Sequence, residues 1–211
     1  MTARLGILLS GSGSTYANLQ AQIQQGTLDA EIALVIASRP QAGGLQQAAD
    51  WGHPWLVSRD QETIQQGLVD HGCDWVAMCG FMSRFDPRGP LSGRVLNVHP
   101  SLLPAFGGQG FYGDHVHRAV LQRGARVSGC TVHLVAGDYD SGPILAQRIV
   151  PVHGSDSVES LRQRVQAAER HLYPLVLQSL ICHGYHGSAD LTLVNGCDAW
   201  DLGFTTAPAA L

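Results

Sequence analysis

Short apolar runs alternate with amphipathic stretches through the first half of the chain. Arg4–Ser10 (RLGILLS) is a continuous apolar run ending at Gly/Ser, the pattern of a buried strand. Thr15–Gln25 reads as a helix, Glu31–Ser38 (EIALVIAS) as a second strand, and Leu45–Trp51 as a helix preceded by Gly43-Gly44. Pro54–Val57 predicts a third strand, Gln61–His71 a third helix, Asp74–Cys79 a fourth strand and Arg94–Val98 a fifth. Strands alternating with helices imply right-handed crossovers. The expected fold is α/β, a mostly parallel twisted sheet with helices on both faces.

The second half changes rhythm. His115–Gln122 looks helical, and Val127–Val135 and Ile144–Val152 are strands joined through the turn Ala136–Pro143. Ser157–Leu180 is a long amphipathic helix with Val158, Leu161, Val165, Ala168 and Leu172 on one stripe. Pro174 falls inside it and predicts a kink or an interruption. In the tail, Asn195-Gly196 between the short apolar runs Leu191–Val194 and Cys197–Trp200 suggests a hairpin. Nothing marks a domain boundary, so residues 1–183 read as one domain and 184–211 as a tail packed on it.

Composition narrows the class. The 211 residues are 45% hydrophobic and 14% charged, which is not a disordered composition. No stretch approaches eighteen apolar residues, and Met1–Ser10 lacks the features of a signal peptide. A soluble, cytoplasmic protein without a membrane partner is expected. The net charge of -4 argues against nucleic acid as a partner. All thirteen cations are Arg. The absence of Lys excludes Schiff-base chemistry and the lysine of a P-loop. A phosphate would have to be met by backbone N–H groups, hydroxyls or Arg. The five cysteines, at 73, 79, 130, 182 and 197, are odd in number and form no CxxC, so they read as free thiols.

Three segments carry candidate chemistry. Ser10-Gly11-Ser12-Gly13-Ser14-Thr15 lies between a strand and a helix. It reads either as an ordinary turn or as a phosphate cradle of amides and hydroxyls at a helix N-terminus. In Arg94–Pro104 (RVLNVHPSLLP), Asn97 and His99 share one strand face by period two. They are either a core histidine with its partner or a minimal kit for acyl transfer, an oxyanion donor beside a proton carrier. Gly137–Pro143 (GDYDSGP) places Asp138 and Asp140 on a turn. A carboxylate from it brought near His99 would raise the imidazole pKa, but the same residues serve turns in general. His115 and His117 do not share a helix face, so a metal site there is not expected. His133 alternates with Val132 and Leu134 and reads as structural. Pro104–Gly113 is Gly-rich and aromatic, a loop that could cover a site.

Taken in order, these segments resemble the phosphoribosylglycinamide formyltransferases, folate-dependent members of the formyltransferase family. The resemblance runs from Leu5 to about Leu180. It is carried by LNVHPSLLPAF (Leu96–Phe106), SGCTVHLV (Ser128–Val135), YDSGPILAQ (Tyr139–Gln147) and AAERHLYP (Ala167–Pro174), with SRPQAGG (Ser38–Gly44) and CGFM (Cys79–Met82) in support. It implies a Rossmann-like formyltransferase fold. It also implies transfer of formyl from 10-formyltetrahydrofolate, as co-substrate, to the amine of 5-phosphoribosyl-glycinamide in purine biosynthesis. By position Asn97, His99 and Asp140 match the catalytic trio: Asn97 and protonated His99 stabilise the oxyanion, and Asp140 supports His99 and relays a proton through water. Gly11, Ser12, Gly13, Ser14 and Thr15 match the phosphate loop, and Gln166 and Glu169 match contacts to ribose–glycinamide. Met82, Ser83, Arg84 and Phe85, together with Asn97, Ala136, Gly137, Asp138, Tyr139 and Asp140, match the folate site. No metal is implied, and the partners are small molecules to a monomer or homodimer.

The chain departs from the family pattern in three places. Arg84 is shifted by one from the commonly occupied position, Thr15 stands where Asn is common, and GGQGFYGDHVH replaces a shorter stretch. The alternatives are a formyltransferase for another amine (an amino sugar nucleotide or methionyl-tRNA), a formyltetrahydrofolate hydrolase, and a non-catalytic folate- or nucleotide-binding protein.

Overall fold

A computed structural model describes residues 2–184; the hairpin expected in the tail lies outside the described residues. Seven strands form one sheet: β1 (Ala3–Leu9), β2 (Ala30–Ala37), β3 (Trp55–Val57), β4 (Trp75–Cys79), β5 (Val95–His99), β6 (Val127–Leu134) and β7 (Ile144–Pro151). Their order is β3-β2-β1-β4-β5-β6-β7. β1 to β5 are parallel, whereas β6 runs antiparallel to β5 and β7 antiparallel to β6. The helices are α1 (Ser14–Gln24), α2 (Gly43–Asp50), α3 (Gln61–Asp70), α4 (Asp114–Gln122) and α5 (Val158–His183). Every strand and helix expected within the described residues is present, with no end shifted by more than three residues.

The near-continuous apolar runs of β1, β2 and β4 are buried on both faces, as central parallel strands require. Period two divides their side chains. Trp75, Ala77 and Cys79 point into the larger core, which α1, α2, α4 and α5 complete. Val76 and Met78 point into a smaller core with Leu8, Leu34, Ile36 and Val95, covered by Ile64 and Leu68 of α3. Among the described residues no other α-helix contributes to this second core. Beside β5 its cover comes from Phe85 and Leu91 of the β4–β5 connection. That thin cover leaves room for a cavity. The chain winds outward from β1 to β3 and then returns to β4 and β5 on the other side. This reversal opens a crevice outside the carboxyl ends of β1 and β4, where open α/β sheets bind ligands.

Pro174 does not interrupt α5, which runs unbroken to His183. A proline has no N–H, so the carbonyl four residues earlier, that of Arg170, loses its helical donor. Asn18 of α1 supplies one instead: its Nδ2 donates to the Arg170 carbonyl at 2.9 Å. The neighbouring Tyr173 is fully buried, and its hydroxyl lies 3.2 and 3.0 Å from the carbonyls of Met78 and Leu96. α5 is thereby tied to β4 and β5 immediately before Asn97.

Candidate active site

Asn97 and His99 stand on the same face of β5, as their spacing requires, and the face is that of the thinly covered second core. The antiparallel ladder puts His133 of β6 opposite Asn97, and Thr131 opposite His99. The β6–β7 connection then brings Asp140 over this pair. Gly142 turns that connection so tightly that a Cβ there would lie 1.8 Å from the Leu134 carbonyl oxygen. Asp140 adopts φ 55°, a left-handed conformation uncommon for residues with a side chain but tolerated by Asp.

The carboxylate of Asp140 joins the group. Oδ2 lies 3.3 Å from His99 Nδ1 and accepts from the Gly108 amide at 2.9 Å. Oδ1 lies 3.5 Å from both His133 Nε2 and Asn97 Nδ2. Proton positions follow from the partners. His133 Nδ1 is 2.9 Å from the Leu134 carbonyl and must be its donor, so Nε2 of the neutral ring accepts. That acceptor takes an Asn97 amide hydrogen at 3.1 Å. His99 Nε2 is likewise committed, donating to the Phe106 carbonyl at 2.8 Å. In the neutral ring, Nδ1 then faces Asp140 with a free lone pair.

Burial sets the electrostatics. The side chains of His99, His133 and Asp140 are 4%, 2% and 11% exposed. Burial holds the His99 imidazole below the ordinary histidine value and outweighs Asp140 and the Phe106 carbonyl, which both raise it. This reverses the net rise that the sequence suggests, because a carboxylate attracts the imidazolium less than removal from water penalises it. For Asp140 the balance is opposite. Burial raises its pKa, but the neighbouring His133 and His99 rings and the Gly108 amide together hold it below the usual value.

A second layer fixes the segment that carries the Phe106 carbonyl. Thr131 Oγ1 donates to the Ser101 carbonyl at 2.7 Å and accepts from the Leu103 amide at 3.0 Å. Gln147 Nε2 donates to the Leu103 carbonyl and to Thr131 Oγ1, at 2.9 and 3.0 Å. Among the described residues no buried polar side-chain atom of Ser101, Thr131 or Gln147 lacks a partner, the condition under which such a network stiffens a core.

Asn97, His99 and Asp140 form the floor of a cavity of about 280 Å³. Met82, Ser83, Arg84, Phe85, Gly137, Asp138 and Tyr139 line it, as expected for a shared site, but Ala136 does not. Arg84 spans the two loops, with Nε donating to the Gly137 carbonyl at 3.2 Å and Nη2 3.7 Å from Asp138 Oδ1. His133 also lines the cavity. Sequence reasoning took it as structural, and only its cross-strand position opposite Asn97 reveals its partners.

The remaining expected site residues lie outside this cavity. Gly11–Thr15 occupies the β1–α1 turn. Gly13 has φ 81° and α1 has no side-chain cap, so the first amides of the helix stay unclaimed. The Gly11 carbonyl accepts from the Gly44 amide at 3.3 Å, yet a Cβ on Gly11 would meet nothing within 4 Å. Ser10 Oγ accepts from the Met82 amide at 2.8 Å and so links this turn to the cavity wall. Gln166 and Glu169 sit on α5, the first one turn before and the second next to Arg170, whose carbonyl Asn18 holds against α1. Burial pushes the Glu169 carboxyl up to about 8, with Arg170 opposing. In α4, His115 is exposed and His117 buried, so the two do not converge.

The chain is 36% identical over 188 residues to "Phosphoribosylglycinamide formyltransferase, chloroplastic" of Vigna unguiculata, covering 84% of this chain and 60% of that one. It is 35% identical to the "Trifunctional purine biosynthetic protein adenosine-3" of Homo sapiens, covering 83% of this chain and 18% of the relative. The chain therefore spans well under the full length of these curated relatives. Among solved structures, glycinamide ribonucleotide transformylase 1 from Symbiobacterium toebii superposes with a TM-score of 0.77 at 35% identity, covering 89% of this chain and 92% of that one. Phosphoribosylglycinamide formyltransferase from Brucella melitensis gives 0.74 at 37% identity, covering 89% and 100%. The family described as "Formyl transferase" matches residues 3–177, and to that family this chain belongs.

Proposed function

We propose that the chain transfers the formyl group of 10-formyltetrahydrofolate to the amine of 5-phosphoribosyl-glycinamide, giving 5-phosphoribosyl-N-formylglycinamide for de novo purine biosynthesis. The observation that carries this reading is the spacing of two features across the sheet. The Gly11–Thr15 turn, which leads into the uncapped N-terminus of α1, follows β1, and Asn97 and His99 end β5, with only β4 between. Two strand spacings are about 10 Å. A ribosyl unit with a phosphate at one end and a glycyl amine at the other suits that separation. The cavity fits the co-substrate: its walls include Met78, Phe81 and Phe85, and backbone groups of the 82–85 and 137–140 segments are present to meet polar ring atoms. When bound there, the co-substrate supplies an activated formyl carbon on its N10.

The residues then divide the work. Asn97 is placed to donate to the oxygen that becomes anionic when the amine adds to the formyl carbon. It can exchange its long 3.5 Å contact with Asp140 for that oxygen and keep the 3.1 Å contact with His133. His99 Nδ1 takes up the proton that the amine releases, and Asp140 at 3.3 Å stabilises the imidazolium so formed. The proton is returned, through water, to the departing N10. Gly11–Thr15 hold the phosphate through amides and hydroxyls, with Gln166 and Glu169 toward the ribose.

The deciding assay follows co-substrate consumption with and without 5-phosphoribosyl-glycinamide. Turnover that requires the glycinamide supports the reading. Turnover with water alone identifies a hydrolase. Folate binding without turnover in either case indicates another amine or a binding protein, and the proposal is then wrong.

A further inference from the structure

Three successive carbonyls of the β1–α1 turn are each held by a donor from one short stretch of chain, RPQAGGLQQ (Arg39–Gln47). Arg39 Nε donates to the Ser10 carbonyl at 2.6 Å, the Gly44 amide to the Gly11 carbonyl at 3.3 Å, and Gln47 Nε2 to the Ser12 carbonyl at 3.2 Å. The stretch runs from the β2–α2 connection into α2. The approach is close because α2 opens on two glycines. A Cβ on Gly43 would lie 3.3 Å from the Ser12 Cα, and one on Gly44 would lie 2.5 Å from Leu9 Cδ2 and 3.3 Å from the Gly13 Cα. Gln47 follows Gly43 by four residues and Gly44 by three, so all three share one helix face. That face is turned to the β1–α1 turn. Among the described residues Gln47 Oε1 is buried with no hydrogen-bond partner. An acceptor left buried and unmet costs stability, a cost carried here by a side chain whose other end holds Ser12.

Peptide geometry fixes the consequence. In a trans peptide the N–H points opposite to the C=O. The peptides of this turn are trans, since the cis bond among the described residues is Leu103-Pro104. Holding the Ser10, Gly11 and Ser12 carbonyls against residues 39–47 therefore turns the Gly11, Ser12 and Gly13 amides away from that segment. Gly13, at φ 81°, supplies the left-handed residue with which successive amides form an anion-binding nest.

We propose that Gln47 and Arg39 are positioning residues for the acceptor's phosphate, acting from behind the turn by fixing the direction of its amides. The inference rests on the formyl-transfer reading above. Without the Gln47 bond the Ser12–Gly13 peptide is free to rotate, and the amides must be ordered again each time a phosphate binds. The cost then falls on acceptor binding and not on the chemistry at His99. It also falls only on an acceptor that carries a phosphate. A side chain that merely supported the fold would have no such selectivity.

The test uses Gln47→Met, which keeps the length of the side chain and removes its amide. Formyl transfer is measured to two acceptors, 5-phosphoribosyl-glycinamide and the same compound without its phosphate. The KM of the phosphorylated acceptor is expected to rise about tenfold, the scale of one hydrogen bond, with kcat within a few-fold of wild type. The ratio kcat/KM for the dephosphorylated acceptor and the co-substrate KM stay at their wild-type values. An equal loss for both acceptors overturns the inference, as does a wild-type KM for the phosphorylated one. Inorganic phosphate, titrated into both proteins and followed by phosphorus NMR, separates this inference from the reading it rests on. If the wild-type chain does not formylate glycinamide, yet binds inorganic phosphate about tenfold more tightly than Gln47→Met does, the acceptor reading fails and this one stands. If glycinamide is formylated and the two proteins bind inorganic phosphate equally, this inference alone fails.

Discussion

Asn97 and His133 face each other across the β5–β6 ladder, with the Asn97 amide nitrogen 3.1 Å from Nε2 of His133. The tautomer of the histidine, set by the Leu134 carbonyl, orients the amide. His133→Ala leaves Asn97 free to rotate away from the developing oxyanion. The expected result is a fall in kcat of about a hundredfold, the scale on which a small misplacement acts, with the co-substrate KM within a few-fold of wild type. Steady-state kinetics on this variant read the split. A wild-type kcat would mean that His133 does not position Asn97.

The pair His99 and Asp140 makes a prediction about pH. Activity through a neutral imidazole fades as His99 protonates. Because burial depresses its pKa, the acid limb of kcat/KM should lie below the ordinary 6.5. Asp140 raises the His99 value, so Asp140→Asn lowers it further and moves the limb to lower pH. The plateau should drop by roughly 10²–10⁴-fold. The stability linkage has the same sign: a depressed folded pKa contributes stability above pH 6.5 that is lost as pH falls through the folded value. A limb above 6.5, or one that moves upward in Asp140→Asn, would contradict this assignment.

What could be read before the fold was known depended on whether the information was local. Asn97 and His99 show themselves by period two, and Asp140 by its place in a turn after a strand. His133 obeys the same period, but its meaning depends on the residue opposite, which is settled only by the β5–β6 register. The Phe106 carbonyl and Gly108 amide are backbone atoms and leave no trace in residue identity. Pro174 is a case where a sound local rule fails, because its remedy comes from Asn18, 156 residues earlier in the chain.

Two neighbouring glycines should respond differently to a methyl group. Gly13→Ala meets φ 81°, with Gln47 Oε1 2.6 Å and the Gly44 Cα 2.8 Å from the new Cβ. It should lower stability by about 1–2 kcal/mol from the left-handed backbone alone. Gly11→Ala has no such conflict within the chain, because nothing lies within 4 Å. Its Cβ would enter the space left for the phosphate. Thermal unfolding of Gly11→Ala should match wild type, while the KM for glycinamide rises at least tenfold and the co-substrate KM does not. A normal glycinamide KM in this variant would move the phosphate elsewhere.

The last prediction concerns how α5 passes through Pro174. If Asn18 Nδ2 replaces the missing helical donor, the two residues are energetically coupled. In the wild-type chain, Asn18→Ala leaves the Arg170 carbonyl without its protein partner. The site is partly open to water, so the expected loss is near 1 kcal/mol, within the range for a single hydrogen bond. In the Pro174→Ala background, the new backbone N–H can bond to the same carbonyl, and Asn18→Ala should then cost only a few tenths of that. Denaturant unfolding of the two single variants and the double variant gives the coupling directly, expected at about 0.5–1 kcal/mol. Equal costs for Asn18→Ala in both backgrounds would show that the carbonyl is satisfied by solvent. In that case the continuity of α5 would rest on the packing of Tyr173 and its neighbours against the sheet.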